Sequence, residues 1–202
     1  MARARGKRLI QERQRKEAEQ LERKRAADRR RMVVVAATAV GLLAVGIGWI
    51  FLAPEPPWVA FDSVGNTHIE AVNDPHVAYN SSPPSSGPHM GSLVGWQEHD
   101  EQVPAEAYVH NLEDGGVALT YNCPDGCDDV TRQLRAVLAE YENDNVLMFP
   151  YDNIVDPDGV SHTASAVAWG RVYYFDVADS ETKQELRDFI EAFEGINNHA
   201  GL

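Results

Sequence analysis

A chain of 202 residues has room for one ordinary domain once its first quarter is set aside. The net charge of −13 hides two parts of opposite character: residues 1–31 hold 13 of the 18 Lys and Arg against five acidic residues, and the rest holds five against 26. A body so acidic excludes nucleic acid as its partner, since phosphate binding needs a basic surface.

Residues 5–31 lack Pro, lack Gly after Gly6, and are rich in Glu, Arg, Gln and Ala, which lose little side-chain freedom in a helix. Glu12–Lys16 and Glu19–Arg23 stand at i,i+4 with the acid first, the favourable orientation. The pattern predicts a basic helix, either lying on anionic headgroups, where each charge contributes about 1 kcal/mol, or acting only as a topology signal. Met32 to Ala53 then form 22 consecutive uncharged positions. At ~1.5 Å per residue they span about 33 Å, against ~30 Å of bilayer hydrocarbon. Trp49 and Phe51 fall near one end, where aromatic rings favour the interface; Arg29, Arg30 and Arg31 abut the other and assign it to the cytoplasm. The long charged head, and the lack of a small-x-small cleavage site before Pro54, favour a retained single-pass anchor over a cleaved signal peptide.

The organisation that follows is a basic cytoplasmic segment at 1–31, a transmembrane helix at 32–53, a Pro-rich spacer at 54–57 and an extracytoplasmic domain at 58–202. Trp58 to Phe61 is where that domain is expected to begin, and residues 62–104 are Gly-, Pro-, Asn- and Ser-rich with short extended pieces. Residues 104–114 predict a helix opened by Pro104 and closed by Gly115–Gly116. Val117–Tyr121 predicts a strand. Asp128 or Asp129 caps a helix to Tyr141 whose Val130, Leu134, Val137 and Leu138 share one face. Residues 145–151 predict a buried strand, 164–177 a third strand or a strand–bend–strand, and Ser180 to Phe193 a last helix. The order predicts an α/β or α+β fold, a small sheet with flanking helices.

Seven histidines occur: His68, His76, His89, His99, His110 and His162 in the body, and His199 in a tail expected to fray. Many imidazoles among few cationic side chains is a composition suited to metal ligation. His110 and Asp114 are four apart on the predicted helix with Glu113 beside them, an arrangement similar to an inverted zincin motif; Glu113 could equally satisfy backbone donors. His89 ends a stiff Ser-Pro-Pro-Ser-Ser-Gly-Pro run that could fix an imidazole at low entropic cost. Met148, in the predicted buried strand, is a thioether that would favour copper if it joined the imidazoles and is otherwise a core residue. Cys123-Pro-Asp-Gly-Cys127, between a strand and a helix, reads as a local disulfide or as a redox or copper pair.

Cys-Pro-Asp-Gly-Cys-Asp (123–128) also resembles the Cys-Pro-Asp-x-Cys-Pro of the copper-delivering, thioredoxin-like assembly proteins of cytochrome oxidase. YNSSPPSSGPH (79–89), YVHNLEDGGVALTYN (108–122) and AWGR (168–171) together resemble the prokaryotic domain-of-unknown-function family number 3105, over about residues 64–194. That resemblance implies that His89, His110, Glu113 and His68 occupy motif positions. The family's LEHG is LEDG here, so Asp114 stands where the family pattern has His.

The function expected is a membrane-anchored extracytoplasmic metal-binding protein that holds or delivers copper, with zinc as the alternative ion and His68, His89, His110, Asp114 and Met148 as candidate ligands. One alternative is a metal-free accessory subunit or assembly factor of a membrane complex such as a respiratory oxidase; another is a zinc hydrolase with Glu113 as base. The acidity of the domain is read as adaptation to high salt, where screening suppresses self-repulsion, though it would also attract cations.

Overall fold

The computed structural model describes residues 2–52, 55–124 and 126–199, which form two compact units, 1–55 and 56–202. The first unit is one helix, α1 (Ala2–Leu52). Its Arg15 and Glu19 side chains are hydrogen-bonded, an i,i+4 pair of the kind that supports an isolated helix. Met32, Val33, Val34, Val35, Val40, Leu42, Leu43 and Val45 are all exposed on it. Among the described residues no helix is long and apolar enough to cross a membrane. The expected span is described only in part, because the side chains of Trp49 and Phe51, together with Ala53 and Pro54, lie outside the described residues.

The second unit contains β1 (Val59–Ala60), β2 (His68–Ile69), β3 (His89–Met90), α2 (Ala105–Glu113), β4 (Val117–Tyr121), α3 (Asp128–Glu140), β5 (Val146–Pro150), β6 (Ala164–Ala168), β7 (Arg171–Phe175) and α4 (Ser180–Phe193). Five strands make a mixed sheet in the order β1-β7-β6-β4-β5. β4 and β5 pair in parallel through α3, whereas β4–β6, β6–β7 and β1–β7 are antiparallel. The fold is mixed α/β, a sheet with helices on both faces.

Period-two alternation divides the strand residues between those faces. Val117, Leu119, Val146, Met148, Ala164 and Ala166 meet Val130, Leu134 and Val137 of α3 and Leu186, Phe189 and Ile190 of α4. Ala118, Leu147, Phe149, Val167 and Val172 meet Tyr108, Val109 and Leu112 of α2. Covered on both sides, β4 and β5 read as continuous apolar runs. Burying each large side chain contributes about 1.5–3 kcal/mol. Two hydroxyls on these central strands, Thr120 and Ser165, satisfy one another at 2.7 Å.

The start of α3 differs in detail from the sequence expectation: Cys127 holds the N-cap position without a side-chain cap, and Asp128 and Asp129 lie in the first turn. α4 spans Ser180–Phe193 as expected and is capped by Asp179, its carboxylate accepting from the Glu181 and Thr182 amides at 3.0 Å. Cys123 and Cys127 lie at the β4–α3 turn at disulfide-bonding distance, Cα to Cα 5.4 Å. Asp125 between them is outside the described residues.

Candidate metal centre

The site is assembled from two short pieces of chain and one helix end. β2 and β3 pair in parallel with His68 opposite His89, which sets the two imidazoles side by side with ring centroids 5.0 Å apart. The His89 side rests on a buried Pro-Ser-Gly segment whose carbonyls are held from outside: Tyr108 Oη donates to Pro84 O at 2.7 Å, and Tyr79 Oη donates to Pro88 O at 2.6 Å. Gly170 N donates to Ser85 O at 2.9 Å. Gly87, at φ 132°, has no room for a side chain, since a Cβ would come within 2.8 Å of the Tyr79 ring. Burial raises the Tyr108 pKa well above the ordinary tyrosine value, so the hydroxyl remains a donor. Removing it in Tyr108→Phe leaves the Pro84 carbonyl unpaired and is expected to destabilise the domain by about 1–3 kcal/mol; an unchanged urea midpoint would contradict this anchoring role.

α2 supplies His110 and Glu113, three apart and therefore on one face. The helix stops in a Schellman arrangement: Gly116 N donates to Asn111 O at 2.7 Å and Gly115 N to Leu112 O at 3.1 Å, with Gly115 at φ 87°. Its carbonyl end carries partial negative charge, which favours cations at the last turn, where His110 lies. Asn111, between His110 and Glu113, accepts from Val94 N and donates to Val94 O, tying the 91–95 loop to the helix.

Three imidazoles converge on one carboxylate oxygen. Glu113 Oε2 lies 3.1 Å from His89 Nε2, 3.8 Å from His68 Nε2 and 3.8 Å from His110 Nδ1. Ligand atoms of His68, His89, His110 and Glu113 all fall within 4.8 Å of one another, a group that could hold a metal ion. His89 and Glu113 form its buried floor and the His68 side chain, 52% exposed, its rim. Glu113 Oε1 accepts from Asn66 Nδ2 at 2.8 Å. Among the described residues no Lys or Arg pairs with Glu113.

Tautomer chemistry gives this cluster its direction. A carbonyl can only accept, so His89 Nδ1–H donates to Gly87 O at 2.8 Å and the lone pair of the neutral ring sits on Nε2. That lone pair faces a carboxylate oxygen at 3.1 Å, which is favourable only with a proton or a metal ion between them. The Nδ1–H to backbone carbonyl bond is also the outer-shell contact that orients metal-binding histidines. Burial lowers the His110 pKa, favouring the neutral ring a metal requires, and its buried Nδ1 has no hydrogen-bond partner among the described residues. An ion at ~2.0–2.1 Å from four tetrahedral ligands holds them roughly 3.3 Å apart, so small inward shifts would close this group on one.

Of the sequence candidates, the structure brings together His68, His89 and His110. Asp114 stands at the edge, its Oδ2 3.9 Å from His110 Nε2. Met148 is not brought to them; it is fully buried in the α3–α4 face of the sheet. The central carboxylate is Glu113, which the sequence offered as a catalytic base or a backbone partner. His199, expected in a fraying tail, instead sets Nδ1 3.3 Å from Glu113 Oε1 and is hydrogen-bonded through Nε2 to Asp114 Oδ1. That bond raises the His199 pKa. No sequence signal pointed to His199. For Glu113 the signal was its i,i+3 spacing from His110.

The three sequence motifs meet here, since Trp169 of AWGR stands edge-on to His89 with ring centroids 6.2 Å apart. A family model described as "Protein of unknown function (DUF3105)" matches residues 71–200. The chain belongs to this family. The match takes in His89, His110, Glu113 and His199, and His68 lies just before it. No curated protein and no solved structure matches the chain.

Proposed function

We propose that this protein is a membrane-anchored, extracytoplasmic metal-binding protein, and that His68, His89, His110 and Glu113 bind the ion it holds or delivers. The observation that carries the reading is the buried Glu113 carboxylate facing three imidazoles, with no Lys or Arg among the described residues paired to it. Three nitrogens and one oxygen suit a divalent first-row ion. Among these, Cu(II) heads the affinity order, with Zn(II) the alternative. Met148, the thioether that would have favoured copper further, does not reach the group. A hydrolase is less well supported, because Glu113 lies at ligand distance and is held by Asn66, which leaves it poorly placed as a mobile base.

Metal content of the full chain, purified in detergent without a histidine tag, tests the reading. About one copper or zinc per chain is expected in the wild type, with loss in His89→Ala and in His110→Ala. A wild type that takes up neither ion after loading would overturn it and leave a metal-free subunit of a membrane complex as the reading to pursue.

The anchor is supported by the exposed Val and Leu side chains of Met32–Val45 and by the arginines before them. Alkaline carbonate washing should leave the chain in the membrane pellet; release into the supernatant would rule the anchor out.

A further inference from the structure

The segment after α4 does not leave the domain. Gly195 N donates to Gly115 O at 2.8 Å, and Asn198 N donates to Glu113 O at 2.8 Å, so the segment takes up carbonyls that the end of α2 leaves unpaired. Asn198 Nδ2 reaches Leu112 O at 3.4 Å. The approach is close enough that a Cβ on Gly115 would lie 2.8 Å from Ile196 N. Glu113 is therefore gripped twice, by Asn198 at its backbone and by His199 at its side chain. The His199 ring stands 6.0 Å from that of His110 and is hydrogen-bonded to Asp114.

Exposure runs from floor to rim. His89 and Glu113 are buried, and the His68 and His199 side chains are 52% and 43% exposed. His68 and His199 are thus the most exposed of the imidazoles around Glu113, and His199 is carried by the segment that follows α4. We propose that residues 195–199 form a closing strap over the metal centre, with His199, latched by Asp114, controlling how fast the ion is exchanged. The inference rests on the metal-centre reading above. His199 acts here as a positioning residue: it holds the outer oxygen of Glu113 while Oε2 faces the ion, and outer-shell contacts of this sort change metal affinity roughly 10- to 100-fold.

The test uses the full chain in detergent, loaded with Zn(II), and follows extraction of the ion by an excess of a colorimetric chelator. The wild type, His199→Ala and His199→Gln are compared after their stoichiometry has been measured. Both variants should retain about one Zn(II) per chain and lose it at least roughly tenfold faster, the alanine variant faster than the glutamine. Extraction at the wild-type rate would overturn the strap while leaving the metal centre intact. Loss of all zinc from His199→Ala would also overturn it, by making His199 an obligatory ligand. A wild type that holds no Zn(II) and no Cu(II) would remove the metal centre itself, and the strap with it.

Discussion

Stripping the ion with a chelator is expected to lower the melting temperature of the 56–202 unit by roughly 10 °C, and Glu113→Gln is expected to abolish that difference. A ligand present at about a thousand times its dissociation constant stabilises the state that binds it by ~4 kcal/mol. For a domain of this size that corresponds to ~2–4 °C per kcal/mol. The local electrostatics work in the same direction. Glu113 is 1% exposed and no Lys or Arg among the described residues pairs with it, so a metal ion in the group would compensate a buried charge. The Gln variant removes that charge and one ligand together, so it should melt at one temperature with or without metal. Equal melting of loaded and stripped wild type would show that the group contributes nothing through an ion.

Gly116→Ala is expected to destabilise the domain by about 2–3 kcal/mol and to weaken metal binding with it. A Cβ at this position would lie 2.5 Å from Trp96 ring carbons and 2.7 Å from Asn111 O, the same carbonyl that accepts the Gly116 amide. A side-chain end could move aside, but the backbone oxygen closes the helix and cannot retreat without undoing its last turn. His110 and Glu113 lie in that turn. The denaturant midpoint reads the stability and zinc titration reads the site; a variant matching the wild type in both would show that the helix end tolerates what its geometry forbids.

The helices and central strands were legible because their patterns are local. The apolar face of α3 repeats at helical spacing, β4 and β5 are unbroken apolar runs, and Gly115–Gly116 marks the end of α2. The contiguous part of the site was legible as well, since His110 and the carboxylates after it share one helix. Choosing between those carboxylates was not possible from spacing, because Glu113 and Asp114 both lie near His110 on the helix surface. The choice follows from where His68 and His89 arrive, through a two-residue parallel pair within a segment held by side-chain to backbone bonds such as Tyr108 to Pro84. No periodicity announces a pairing of that kind. Met148 illustrates the opposite problem: in a strand buried on both faces, a thioether looks the same in sequence whether it binds copper or fills the core. His199 was unreadable because its place depends on the backbone contact between Gly195 and Gly115, 80 residues apart in the chain.

X-ray absorption at the metal edge of the loaded full chain tests the central claim most directly. The account predicts a first shell of nitrogen and oxygen only, at ~2.0–2.2 Å, with the outer scattering of about three imidazoles. That imidazole signal should fall by a third in His68→Ala if this variant still holds the ion. A sulfur shell at ~2.3 Å, or a spectrum without imidazole, would place the ion on other residues and contradict the account.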